Sequence, residues 1–141
     1  MNQQTRKRNR RAFTLIEILV VIVIIAVLAG AIAPTLLRHI GEAKTNVAKS
    51  NISSIESAIN IFSITYDRMP NTLEELVTRP ADIDEANWAV PTLRAKDLID
   101  PWGRPFLYKQ PGDRGPFDVY SLGKDGQEGG EGDNADIGNW Q

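Results

Sequence analysis

From Ile18 to Leu37 twenty consecutive residues carry no charge (ILVVIVIIAVLAGAIAPTLL). At about 1.5 Å per helical residue the run reaches roughly 30 Å, the hydrocarbon thickness of a bilayer. Beyond Arg38 the pattern turns amphipathic. Ile40, Ala43, Val47, Ile52, Ile55, Ile59, Phe62 and Tyr66 recur at helical spacing, while Arg38, Glu42, Lys44, Lys49, Glu56 and Asn60 mark the opposite face. The two patterns together predict one helix from about Thr14 to Tyr66, about 80 Å long. Its first half is apolar all round and its second half only on the stripe. Pro34 has two readings: a kink that opens the helix, or a proline tolerated in a membrane helix.

Asp67-Arg68-Met69-Pro70 predicts the helix end. Thr72-Leu73-Glu74-Glu75 reads as a capping box, with Thr72 as N-cap and a short helix through about Val77, stopped by Arg79-Pro80. Residues 80–100 read as a loop with short helical or extended pieces, its acids Asp82, Asp84 and Glu85 solvated. Asp100-Pro101-Trp102-Gly103-Arg104-Pro105 is a turn signal. Phe106–Lys109 and Phe117–Ser121, separated by Gln110-Pro111-Gly112-Asp113, read as an antiparallel hairpin packed on the helix stripe. The expected class is α+β.

Charge sharpens the picture at the N-terminus. Of the 16 cations in the 141-residue chain, Arg6, Lys7, Arg8, Arg10 and Arg11 precede the apolar run without an acid among them, leaving 11 cations against 18 acids in residues 13–141. The positive-inside rule then keeps the N-terminus in the cytoplasm and exports the rest. A cleaved secretory signal competes, with small residues at Ala29-Gly30-Ala31 and Ala31-Ile32-Ala33, but the apolar run exceeds the usual 7–15-residue core of such signals. A basic arm followed at once by an apolar run points to targeting rather than to nucleic acid. Zero cysteines exclude a disulfide scaffold and a thiolate site, and the single histidine, His39, excludes His-pair zinc sites. No Gly-x-Ser-x-Gly or Gly-Lys-Ser/Thr motif supports an enzyme.

Glu17 is an acid inside an apolar stretch. A membrane carboxylate costs on the order of 2.5–3.5 kcal/mol at the centre and marks a partnered, functional group, or at the edge a charge at headgroup level. Arg11-Ala12-Phe13-Thr14-Leu15-Ile16-Glu17 resembles the type IV prepilin signal. The resemblance implies cleavage between Ala12 and Phe13 by a prepilin peptidase and N-methylation of Phe13. It also implies that Glu17 neutralises the N-terminal ammonium of a neighbouring subunit, and that Pro34 is a site of kinking or local melting on assembly. Ala12 departs from the glycine usual before the cut.

The last twenty residues carry Gly123, Gly126, Gly129, Gly130, Gly132 and Gly138, with five acids against Lys124 alone. Two readings stay open from composition: a solvated acidic tail, or an oxygen-rich loop suited to Ca²⁺. The apolar Ile137 and Trp140, and the small core of the soluble part, favour the loop. Asp-Pro-Trp-Gly-Arg-Pro-Phe-Leu-Tyr at 100–108 and Tyr-Ser-Leu-Gly-Lys-Asp-Gly-Gln-Glu-Gly-Gly-Glu-Gly-Asp-Asn-Ala-Asp-Ile-Gly-Asn-Trp at 120–140 resemble the major pseudopilins of the type II secretion system. The resemblance implies a type IV pilin-like fold: a long N-terminal helix packed against a small antiparallel sheet with a C-terminal ion-binding loop. It implies one structural Ca²⁺, held by backbone oxygens of Leu122 and Ile137 and carboxylates of Asp125 and Asp133, with Glu131 and Asp136 as weaker candidates. It implies a leader at 1–12, a transmembrane and filament-core helix at 13–37 and a periplasmic head at 38–141. The expected protein is a non-enzymatic subunit of a homopolymer in the bacterial inner membrane, then of a periplasmic filament that drives export of folded proteins. Minor pseudopilins, an inner-membrane assembly platform and the peptidase are its expected partners, and nucleic acid is not. The alternative is the major subunit of a type IV pilus for adhesion or motility.

Overall fold

The computed structural model describes residues 13–89, 91 and 93–141. The described residues form two compact units, divided after Arg38. Helix α1 (Leu15–Tyr66) contributes to both and runs through position 34 without interruption. Three strands follow: β1 (Leu107–Lys109), β2 (Asp118–Ser121) and β3 (Ile137–Gly138).

Thr14 starts α1. Its Oγ1 accepts the Glu17 N–H at 3.2 Å, and its carbonyl accepts those of Glu17 and Ile18 at 3.1 and 3.3 Å. Thr14 and Glu17 therefore stand at the N-cap and N3 positions of a capping-box sequence, inside the same residues that carry the processing signal. At the other end Asp67 enters the left-handed region (φ 53°) and closes the helix. Leu15–Ile32 is long and apolar enough to cross a membrane, and none of it is buried by the chain itself.

In the second unit the buried line on α1 is Gly41, Ala48, Ile52, Ile55, Ala58, Ile59 and Phe62. The expected stripe holds from Ile52 onward and fails before it. Ile40 is 47 % exposed, Val47 is 51 % exposed, and Ala43 faces outward. The small residues Gly41 and Ala48 occupy the inner line there, and at Gly41 the carboxylate of Asp133 comes too close for a side chain. Ile52, Ile55, Ile59 and Phe62 share one core with Leu73, Leu76, Ile83, Leu93, Leu98, Phe106, Phe117, Val119 and Ile137. Each such aliphatic or aromatic side chain stabilises the unit by about 1.5–3 kcal/mol.

The expected hairpin forms, with Leu107 opposite Tyr120, Tyr108 opposite Val119 and Lys109 opposite Asp118. The sheet has a third strand that the C-terminal sequence did not reveal. β3 pairs antiparallel to β2, with Tyr120 opposite Gly138 and Ser121 opposite Ile137, giving the order β1-β2-β3. The expected capping box at Thr72 is absent. Leu73–Leu76 is a 3₁₀ turn without a side-chain cap from Thr72. Glu75 instead reaches the residue before it, accepting from Asn71 N at 3.2 Å and Asn71 Nδ2 at 2.9 Å, and pairs with Arg68 at 2.8 Å. Residues 80–100 carry two further 3₁₀ turns, Glu85–Asn87 and Ala95–Leu98. Asp82 is paired rather than merely solvated, at 2.9 Å from Arg68 Nη2.

Candidate functional site

Ala12 lies outside the described residues. Phe13 and the side chains of Leu15 and Ile16 are exposed, at 73 %, 84 % and 63 %. Glu17 is exposed as well. The processing and assembly residues thus form an uncovered end of an apolar helix whose backbone start is already capped by Thr14.

The C-terminal loop begins where β2 ends and returns at β3. Its two arms are joined by a hydrogen bond from Lys124 N to Asp133 O at 3.0 Å. The Leu122 carbonyl accepts Gly126 N at 3.3 Å, and Asp125 Oδ1 accepts Gln127 N at 3.1 Å. The first arm is therefore a tight turn closed partly by its own acid. Asp133 sits in a short 3₁₀ turn (Gly132–Asn134) with its carboxylate against the helix at Gly41. A Cβ at Gly41 would lie 2.7 Å from Asp133 Cγ, so only glycine admits this approach without displacing the acid. Asp136 fastens the outer part of the loop. Its Oδ2 accepts Gly129 N at 2.9 Å and its own N–H donates to Gly129 O at 3.1 Å. Its Oδ1 is buried with no hydrogen-bond partner. Ile137 is 3 % exposed and lies in β3. Glu131 is exposed and precedes the 3₁₀ turn. Among the described residues no three Asp, Glu, His or Cys side chains converge as a metal-holding group. The loop offers carboxylates singly, among carbonyls.

A polar cluster behind the loop was not foreseen. Asp100 is 5 % exposed, and all its side-chain bonds are internal. Its Oδ1 accepts Trp102 N at 3.0 Å and Arg104 N at 2.8 Å, and its Oδ2 accepts the hydroxyl of buried Ser121 at 2.6 Å. Ser121 Oγ in turn accepts Gly123 N at 3.3 Å. Arg104 Nη2 donates to the Gly123 carbonyl, with Arg104 Nε 3.9 Å from Asp100 Oδ2. The sequence signal was the Asp-Pro-Trp-Gly turn, which revealed the turn but not that its acid faces inward.

The family described as type II secretion system (T2SS), protein G matches residues 35–140, three-quarters of the chain. The chain belongs to this family. A prokaryotic N-terminal methylation motif matches residues 7–33, across the expected processing site. The type II secretion system core protein G of Pseudomonas aeruginosa is 42 % identical over 139 residues, covering 96 % of this chain and 98 % of that protein. The protein of the same name from Vibrio cholerae is 40 % identical over 138 residues, covering 96 % of this chain and 94 % of its own. Among solved structures, the major pseudopilin from the type 2 secretion system of enterohaemorrhagic Escherichia coli is similar with a TM-score of 0.59 and 28 % identity, covering 76 % of this chain and 95 % of that one. The protein G family and this structural likeness make the chain a pseudopilus subunit of type II secretion, and decide between the two filament readings. Its long helix with an apolar stretch and its three-stranded antiparallel sheet are the fold the resemblance implied.

Proposed function

We propose that the subunit enters the inner membrane with residues 1–12 in the cytoplasm, is cut between Ala12 and Phe13, and is methylated at the new N-terminus. Its head then lies in the periplasm, and subunits polymerise into a fibre that pushes folded proteins across the outer membrane. The chain carries no catalysis of its own. Minor pseudopilins, an assembly platform and the prepilin peptidase are its partners.

One observation carries the reading: the apolar surface of Leu15–Ile32 is left wholly uncovered by the chain. An apolar area of this size requires lipid or other helices around it. Lipid serves before assembly and neighbouring copies of α1 serve after it. Within that shell Glu17 needs a cationic partner, and the ammonium exposed by cleavage before Phe13 is the nearest one in sequence. The Thr14 cap keeps the helix start formed after the leader is gone, so Glu17 keeps its register for that pairing.

We assign the C-terminal loop to one Ca²⁺. The donor set is hard oxygen throughout, and the partnerless buried Oδ1 of Asp136 is the kind of atom a cation satisfies. Leu122, Asp125, Asp133 and Ile137 would hold the ion, with Asp136 brought forward from the weaker candidates and Glu131 left at the rim. The ion would supply charge neutralisation among five acids and a crosslink between the two arms. The chain's own residues set the arms: Gly41 admits Asp133, and Asp136 ties the outer turn through Gly129.

The test is the intact mass of membrane-extracted protein from cells with and without the prepilin peptidase. The expected result is loss of residues 1–12 and gain of one methyl group only when the peptidase is present. An uncut chain in both would leave a simple anchored protein and remove the roles given to Phe13 and Glu17.

A further inference from the structure

The loop is not supported evenly. The arm from Leu122 to Gly126 is gripped from behind by side chains of the 100–104 turn, whereas the outer part, residues 127–132, is tied by the flanking acids Asp125 and Asp136 and by backbone bonds from residues 134–136. We infer that Arg104 is a positioning residue that keeps the Leu122–Gly126 arm formed without any ion, so that a bound cation has only the outer part to order. The first half of this inference stands on the geometry alone. The second half rests on the calcium reading above.

Three contacts meet at one guanidinium. Nη2 donates to the Gly123 carbonyl, and Nε faces the buried Asp100 carboxylate at 3.9 Å. The plane itself lies against Gly126, where a Cβ would be 2.8 Å from Nη1 and 3.1 Å from Cζ. Gly126 also has φ +72°, so the position demands glycine twice over. A planar fork can address an acid, a carbonyl and a flat backbone surface at once. A lysine ammonium addresses one of them at a time. Arg104 is itself fixed before it reaches the loop. Its N–H is held by Asp100 Oδ1, and its carbonyl accepts Asp100 N at 2.7 Å. Asp100 then extends the support sideways through Ser121 Oγ to Gly123 N, so Gly123 is held at both its N–H and its carbonyl. The side chain of Arg104 is 36 % exposed, so part of its charge faces water and part faces the arm that carries Leu122 and Asp125.

The experiment is amide hydrogen exchange on the full chain in detergent, in excess chelator, for wild type, Arg104→Gln, Arg104→Lys and Gly126→Ala. In wild type, the amides of Gly123, Lys124 and Gly126 should be protected at least tenfold over Glu128, Gly130 and Glu131. Arg104→Gln should erase that difference while β1 and β2 stay protected, and Arg104→Lys should retain part of it. Gly126→Ala, which leaves Arg104 in place, should also erase it. Fast exchange of 122–126 in wild type would overturn the inference. So would unchanged protection in Arg104→Gln, or a loss spread evenly over the sheet in both Arg104→Gln and Gly126→Ala, which would mean general destabilisation. Calcium titration by calorimetry completes the test, with affinity expected to fall about tenfold in Arg104→Gln. A wild type that binds no calcium would remove the ion reading and the second half of the inference. The exchange result in chelator would still decide the first half.

Discussion

Replacing Asp100 by Ala should be among the most damaging single changes in the head. Three donors lose their acceptor at once: Trp102 N, Arg104 N and the Ser121 hydroxyl. Each stranded donor costs about 1–3 kcal/mol where water cannot replace the bond. Ser121 is 1 % exposed and has no such recourse, while the two turn amides are only partly buried. The sum is about 3–5 kcal/mol. Asp100→Asn keeps the shape and the Oδ1 acceptor. It loses the charge-assisted bond from Ser121 and the attraction to Arg104, together about 1–2 kcal/mol. For a unit near 100 residues, 1 kcal/mol moves Tm by roughly 4–8 °C. Asp100→Ala should therefore lower Tm by roughly 12–40 °C and Asp100→Asn by roughly 4–16 °C. The near-ultraviolet dichroism of Trp88, Trp102 and Trp140 reports the head, since all three tryptophans lie in it. An alanine variant within about 1 kcal/mol of wild type would refute the reasoning, and so would an asparagine variant as unstable as the alanine one.

Glu75 should make the head acid-sensitive. Partial burial pushes its pKa up, but the hydrogen bonds from Arg68 and from the Asn71 side chain and backbone outweigh that, leaving it below its ordinary 4.5. A lowered folded pKa means the stabilisation is complete above about pH 4.5 and is lost as pH falls through the folded value. Glu75→Gln should flatten the Tm-against-pH curve between pH 5 and 3, and a curve parallel to wild type would dismiss the role. Asp125→Ala with Asp133→Ala should abolish the rise in Tm on adding calcium, and a melting curve that responds as wild type does would exclude the loop as the ion site. Glu17→Ala should still be cleaved but should yield few filaments by electron microscopy; normal filaments would discard the charge-pairing scheme.

The membrane run, the hairpin and the end of α1 were legible because each depends on neighbours in sequence. A charge-free run or an alternation of apolar residues is a local property, and local pattern sets helix and strand. Glu17 was legible for the same reason, as a charge in apolar surroundings. Its companion Thr14 is harder to read as a cap, because the same letters also spell a processing signal. Thr72 is the opposite case. The capping-box letters are present, but Glu75 turns to Arg68 and Asn71, and a doubly held carboxylate is no longer available to Thr72.

The C-terminal region divides along the same line. Its glycines and acids announce a turning, oxygen-rich loop from composition alone. Only the tertiary structure decides that Ile137 and Gly138 form β3, since a two-residue strand has no periodicity and exists because β2 offers it an open edge. Only the tertiary structure turns Asp100 inward, because its partner Ser121 lies 21 residues away, and only it sets Arg104 on Gly123, 19 residues away. The same holds for the exchange of Ile40 and Val47 for Gly41 and Ala48 on the buried line. Helical spacing allows either set of residues, and at Gly41 the close approach of Asp133 selects glycine. The sequence by itself determined which segments are helix, membrane run and hairpin, because those follow from the order of apolar and polar groups along a few turns. The fold decided which polar groups are buried together, because that depends on which distant segments the closed core brings within a hydrogen bond of one another.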